Sequence, residues 1–275
     1  MEAILLKILL AFAGGVLGSA VGAFEIIVFF AWVLLISTVS GNTVVTNEVA
    51  FGVYLAPYVA FAGGVAATAY AGRKKLIPTG ADITVPLFKL KNPVVLIVGG
   101  IFGSIGYLFF MLLQYLQIKI DFGAIIILVL AVVSRFMFGK TGLFGKYEGT
   151  EKRKYFVDKN IFFTTIVFHA PLALLVSYFD LLTGNIFLGF AISVSILVFL
   201  FAGFEIPPTH HVTMIAGYAA VATQNIFIGM IAGVIAGILN DIVERTINSY
   251  QDSHIDPPAT VIAVLSFIIL TFIQK

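Results

Sequence analysis

The sequence contains no cysteine, which removes disulfides, thiolate metal ligands and cysteine nucleophiles together. Charge is scarce as well. Asp, Glu, Lys and Arg make up 11% of the 275 residues, against about 25% in a typical water-soluble domain, so there are too few to cover a soluble surface. What charge there is sums to +2 at pH 7 and is scattered, so no basic face marks a nucleic-acid partner. Period-two alternation is missing from the apolar stretches, and every strand of a transmembrane barrel needs it. H-E-x-x-H, nucleophile-elbow and Ser-x-x-Lys patterns are absent too, and with them common signatures of hydrolytic enzymes.

What is present is apolar. Hydrophobic residues account for 60% of the chain and mean hydropathy is +1.07. Several stretches reach the ~20 residues that a helix needs to cross a ~30 Å hydrocarbon core. With barrels set aside, helices remain the way to satisfy a backbone in lipid. The fold class expected is all-α, a polytopic transmembrane bundle. Its helices fall near residues 3–22, 25–40, 48–71, 92–117, 121–139, 160–181, 185–203, 208–224, 226–248 and 257–274. A secretion signal competes for the first of these, because Lys7 precedes an apolar run and Ala20-Val21-Gly22-Ala23 resembles a cleavage site. The apolar character resumes after Glu25 and continues to Val39, which favours a retained helix pair.

Two long loops are basic. Residues 72–91 carry Arg73, Lys74, Lys75, Lys89 and Lys91, and residues 140–159 carry Lys140, Lys146, Lys152, Arg153, Lys154 and Lys159. With ten spans both fall on one side, whereas the opposite loops around Thr43 and Thr183 hold almost no Lys or Arg. By the positive-inside rule the basic loops are cytoplasmic, in a multi-pass protein of the cell membrane with both termini outside.

The chain also repeats itself. Ile120-Asp121-Phe122-Gly123-Ala124 lies over Ile255-Asp256-Pro257-Pro258-Ala259, and the apolar residues after each segment add identities at Ile127/Ile262, Val129/Val264 and Leu130/Leu265. Upstream, Asn92, Gly100 and Ile105 lie over Asn225, Gly233 and Ile238. Further back, Phe51, Val59, Gly64, Ala66 and Ala67 lie over Phe204, Val212, Gly217, Ala219 and Ala220. The expected division is a first five-helix repeat over 1–139, a cytoplasmic linker over 140–159 and a second repeat over 160–275. An odd number of spans per repeat inverts one half relative to the other, the plan of many secondary transporters.

The densest polar cluster in apolar surroundings is Glu205-Ile206-Pro207-Pro208-Thr209-His210-His211-Val212-Thr213. Its prolines suit a first helical turn, which places His210 and His211 where free N–H groups and the helix dipole favour an anion. Neutral imidazole also suits metal binding or proton transfer. The plainer reading is a water-exposed helix start. Asp256, before two prolines, reads as an N-cap, with Asp121 at the matching place and His254 beside it as a third imidazole. Asp82 lies in Ile77-Pro78-Thr79-Gly80-Ala81-Asp82, apolar enough for a re-entrant loop and equally suited to a surface loop. Asn92 and Asn225 open helices whose glycines recur at spacings of three and four, a packing signature. His169 stands beside Pro171 in the sixth span, as a structural group or a proton relay. Asp241 and Arg245, four apart, suit an ion pair on a helix entering water.

The function expected is a permease rather than an enzyme, carrying a small solute or ion through a site between the repeats, with proton coupling through histidine or Glu205. The substrate-binding candidates are Glu205, Thr209, His210, His211, Thr213, Asn92, Asn225 and Asp82, and the proton-relay candidates are His169 and His210. No cofactor and no resident metal is expected. The partners are the bilayer and the solute, with a homodimer as the expected assembly. A passive channel is the alternative. A third reading is an intramembrane metalloenzyme, with His210, His211 and His254 as ligands and Glu205 as base.

Overall fold

The computed structural model describes residues 2–274. Ten α-helices carry the chain, and among the described residues there is no strand, only an isolated parallel bridge between Gly80 and Ser253. Five helical stretches are long and apolar enough to cross a membrane: Glu2–Val21, Ala23–Ser40, Pro93–Leu116, Lys159–Thr183 and Ile226–Asn248. Only 22% to 39% of the residues in their most apolar windows are buried within the protein. The outward faces are therefore rich in Leu, Ile and Phe, far more than a water-exposed surface tolerates.

The chain forms two compact units. The first comprises Met1–Ile118, Phe122–Glu148 and Ile247–Asp256. It holds α1 (Glu2–Val21), α2 (Ala23–Ser40), α3 (Ala60–Arg73), α4 (Pro93–Leu116) and α5 (Phe122–Phe138). Within it α3 is central, packing on α1, α2, α4 and α5, while α1 also lies along α4. Small residues set these distances. A Cβ on Gly15 would stand 2.2 Å from the Gly99 carbonyl oxygen, and one on Gly18 would stand 2.0 Å from that of Ala60.

The second unit comprises Lys119–Asp121, Gly149–Thr246 and Pro257–Lys275. It contains α6 (Lys159–Thr183), α7 (Phe187–Ser195), α8 (His210–Thr223), α9 (Ile226–Val243) and α10 (Pro257–Ile268). A 3-10 stretch, Ile196–Ala202, extends α7, and a π-helical turn, Ile269–Ile273, extends α10. Here α8 is central, packing on α6, α7, α9 and α10, and α6 lies along α9. The order of packing partners thus recurs, with α6 to α10 standing for α1 to α5.

The span expected over 48–71 is not continuous. A π-helical turn, Val45–Ala50, is followed by irregular backbone over 51–59 before α3 begins. Pro57 lacks an N–H and disfavours helix at Ala56. The freed groups find other partners: Tyr58 Oη donates to the Phe51 carbonyl at 2.6 Å, and the Val59 and Ala60 amides donate to the Ala56 carbonyl at 2.7 and 2.9 Å. The helix expected over 208–224 likewise begins only at His210, after irregular chain from Phe204. Both α3 and α8 have 14 residues, about 21 Å of rise, which is shorter than a ~30 Å hydrocarbon core.

In the first unit, residues 74–92 fold against α3 and α4, with Ile77 and Leu87 buried among Ala67, Ala71 and Val95. Arg135, 1% exposed, pins two further segments. Its Nε donates to Ser253 Oγ at 3.0 Å, and its two terminal nitrogens donate to the carbonyls of Ser253, Leu143 and Ile247. Asp252 completes the join, accepting from the Lys140 amide at 2.7 Å and from Thr141 Oγ1 at 2.9 Å. Residues 247–256, contributed after α9, are in this way part of the first unit.

Candidate functional site

Buried polar groups are distributed unequally. In the first unit most buried hydroxyls bond a carbonyl of their own helix: Ser19 to Gly15 at 2.7 Å, Thr68 to Gly64 at 2.9 Å and Ser134 to Ala131 at 2.9 Å. This satisfies them without opening a site. One carboxylate oxygen, Glu25 Oε2, has no partner there.

The second unit is different. His211, 1% exposed, has no hydrogen-bond partner at either ring nitrogen, and His169, 7% exposed, has none at Nδ1. Their rings stand 6.1 Å apart across α8 and α6, with the His210 ring 5.9 Å from that of His211. Room for His169 comes from α9, where a Cβ on Gly237 would lie 2.1 Å from His169 Nδ1. Below them Ser193 Oγ and Thr213 Oγ1 meet at 2.9 Å, and Thr213 Oγ1 donates to the His210 carbonyl at 3.1 Å. Toward the far end of α9, Thr165 Oγ1 donates to Asp241 Oδ2 at 3.4 Å, and the Asn240 side-chain oxygen is unpartnered.

The start of α8 is chemically open. Its first intrahelical bond runs from the Thr213 amide to the Thr209 carbonyl at 3.0 Å. The Thr209 side chain, though 3% exposed, makes no cap. Helix geometry therefore leaves the His211 and Val212 amides without intrahelical acceptors. Helices α4, α6 and α9 are capped, by Asn92 on the Val94 amide at 3.0 Å, Asp158 on the Ile161 amide at 3.0 Å and Asn225 on the Phe227 and Ile228 amides at 2.9 and 3.3 Å.

Of the site residues read from sequence, Thr209, His210, His211 and Thr213 come together with His169 in this buried polar cluster. Glu205 is exposed in the irregular segment ahead of α8. Asn92 and Asn225 serve as helix caps. Asp82 is exposed, its Oδ1 accepting from the amide and hydroxyl of Thr84 at 3.0 and 2.6 Å. His254 Nε2 lies 3.3 Å from Asp256 Oδ1 within the first unit. Among the described residues no group of three or more His, Asp or Glu side chains is placed to hold a metal ion.

Sequence reasoning missed Asp180. It is fully buried in α6, no side chain bonds its carboxylate and only the Gly189 backbone of α7 approaches it, and Oδ2 lies where a Cβ on Gly217 of α8 would come within 2.4 Å. A single ionisable residue within an apolar helix is itself a signal, and it marks both Asp180 and Arg135.

A family model matches the chain over residues 1–156 and 164–274. The chain belongs to the Family of unknown function (DUF7973). No curated protein and no solved structure matches it. The interruption in the DUF7973 match, 157–163, falls where α6 begins, so each matched segment carries one central short helix, α3 or α8.

Proposed function

We propose that this protein is a permease of ten membrane spans in two inverted five-helix repeats, moving a small solute or ion past the polar cluster around α8. The observation that carries the reading is the recurrence of one packing plan in both units, each built around a short buried helix preceded by irregular backbone. Backbone of that kind is tolerated at membrane depth only where protein or a water-filled cavity surrounds it. Broken helices at corresponding positions of two repeats are how many secondary transporters build a substrate site. Five spans per repeat place the halves in opposite orientations, so one half can adopt the conformation the other leaves.

Hydrogen bonds across loops support the ten-span count. In that topology the connections after the first, third, fifth and ninth spans lie on one side. The Phe24 amide, at the first connection, donates to the Ile83 carbonyl in the third at 3.0 Å. Arg135 and Asp252 join the fifth connection to the ninth, and the Gly80–Ser253 bridge joins the third to the ninth. On the other side, Thr271 Oγ1 at the end of the tenth span donates to the Lys119 carbonyl in the fourth connection at 3.3 Å. The first side holds the basic loops, hence faces the cytoplasm.

The test is uptake of radiolabelled solutes by sealed proteoliposomes. Saturable flux with counterflow is the expected result. Unitary currents across a planar bilayer would replace the carrier by a channel, and impermeability to every ion, carboxylate, sugar and amino acid tried would remove the transport reading.

A further inference from the structure

The donors around His211 outnumber the acceptors offered to them. The N-terminus of α8 presents the His211 and Val212 amides, in residues 1% and 0% exposed, and no side chain caps it. Helix side chains lean toward the N-terminus, so the His211 ring lies over this same turn, with neither nitrogen bonded. From α6, His169 faces it with its ring 6.1 Å away. Buried N–H groups and imidazoles are almost always paired in folded proteins. Here two backbone donors and the His211 ring have no partner from the chain, and His169 Nδ1, packed against Gly237 of α9, has none either.

Charge decides which partner fits. The helix dipole places partial positive charge at this end, and an imidazole supplies a donor when neutral and two when protonated. Asp241 lies one turn beyond Gly237 on α9, where it accepts from Thr165 Oγ1 at 3.4 Å. Asp180 packs over Gly217, six residues further along α8 and about 9 Å away by helical rise. Glu205 is exposed. A cation meets no ligand set here, since no three-ligand group is placed for a metal among the described residues. A sugar or another neutral polyol would need acceptors for its own hydroxyls, and the first turn of a helix offers donors instead.

We infer that the first turn of α8, with His211 and His169, binds a small oxyanion or carboxylate. The inference deepens the permease reading by naming its substrate class, and only the word substrate rests on that reading. His169 and His211 touch the anion, and Thr209 lies at the uncapped turn where an anion takes the place of a capping side chain.

The experiment has two arms on the full-length, detergent-purified protein. In the first, thermal melting is followed against sodium nitrate, sulfate, phosphate and acetate at constant ionic strength with sodium chloride as balance, and against glucose and potassium chloride. The expected result is that one oxyanion or acetate raises the midpoint saturably. In His211→Asn and His169→Gln the half-saturating concentration should rise at least tenfold while the midpoint without anion stays near that of the parent. In the second arm, which needs no variant, the protein is labelled with 15N-histidine. Its 4 histidines are few enough to resolve, and the His211 and His169 ring nitrogens should shift with the same anion.

Stabilisation by glucose or potassium alone would overturn the anion site while leaving the permease intact. Anion binding without anion flux in proteoliposomes would support the site and overturn the anion as the transported substrate. If no anion shifts His211 or raises the midpoint, or if both variants bind as the parent does, the inference is wrong.

Discussion

Arg135 and Asp180 are both ionisable, both fully inside apolar helices, and treated in opposite ways. Arg135 has its donors occupied by Ser253, Leu143 and Ile247, so its charge is spread over a cage of carbonyls. Arg135→Ala strands those acceptors, and hydrogen bonds to a charged group contribute about 1.5–3 kcal/mol each. We expect a marked fall in the melting midpoint, with Arg135→Lys in between because a point ammonium cannot reproduce the fork. Asp180 has no such cage. Asp180→Asn keeps its shape, and an amide tolerates burial better than an unpaired carboxylate. Its midpoint is expected to equal or exceed that of the parent, and a clear fall would reveal a partner for the carboxylate. For the caps, Asn92→Ala and Asn225→Ala should each lower stability by about 1 kcal/mol and leave the anion affinity of the α8 site unchanged. A loss of anion affinity in either would make that asparagine a binding group as well as a cap.

At the scale of elements, the glycines on facing helices give a graded test. Gly18→Ala directs a methyl into the Ala60 backbone carbonyl, which has no soft side chain to move, so severe loss of folded protein is expected by size-exclusion chromatography. Gly184→Ala meets nothing within 4 Å and is opposed only by its φ of 67°, which costs about 1 kcal/mol, so the folded yield should be close to that of the parent. Most helix positions were legible in the sequence, because a run of apolar residues long enough to cross lipid has few alternatives. The break over 51–59 was not. Val53, Tyr54 and Leu55 keep the stretch apolar through the irregular turn, and hydropathy does not distinguish helical from irregular backbone when both are buried. His210 and His211 stood out in the sequence by residue type and flanking prolines. Their separation from Glu205 was not legible, since it depends on where α8 actually starts. Asn92 and Asn225 were found as a pair for the right reason, repetition, yet repetition marks a shared cap as readily as a shared site.

For the whole molecule, the absence of cysteine is an experimental opportunity. Single cysteines at Gly142 and at Gly184 or Gln117 sample connections that the ten-span topology places on opposite sides. A membrane-impermeant maleimide added to intact cells should label positions 117 and 184 and reach 142 only after lysis. Labelling of all three from outside would refute the span count, and with it the inverted arrangement. Self-similarity suggested repeats over 1–139 and 160–275, and the two compact units of the structure interleave along the chain. Nothing in the apolar pattern signals that residues 247–256 return to the first unit, because that assignment rests on Arg135 and Asp252 and not on hydropathy.

That return has a consequence for how the protein is made. When α5 leaves the ribosome, the Arg135 side chain has entered an apolar helix and two of its three partner residues, Ile247 and Ser253, are not yet synthesised. The first unit stays unfinished until α9 is complete and the following ten-residue segment has docked, so synthesis order and folding order differ. A gene split between residues 148 and 149 should therefore yield two fragments that are degraded when expressed singly and that accumulate together when co-expressed, each supplying what the other's maturation waits for.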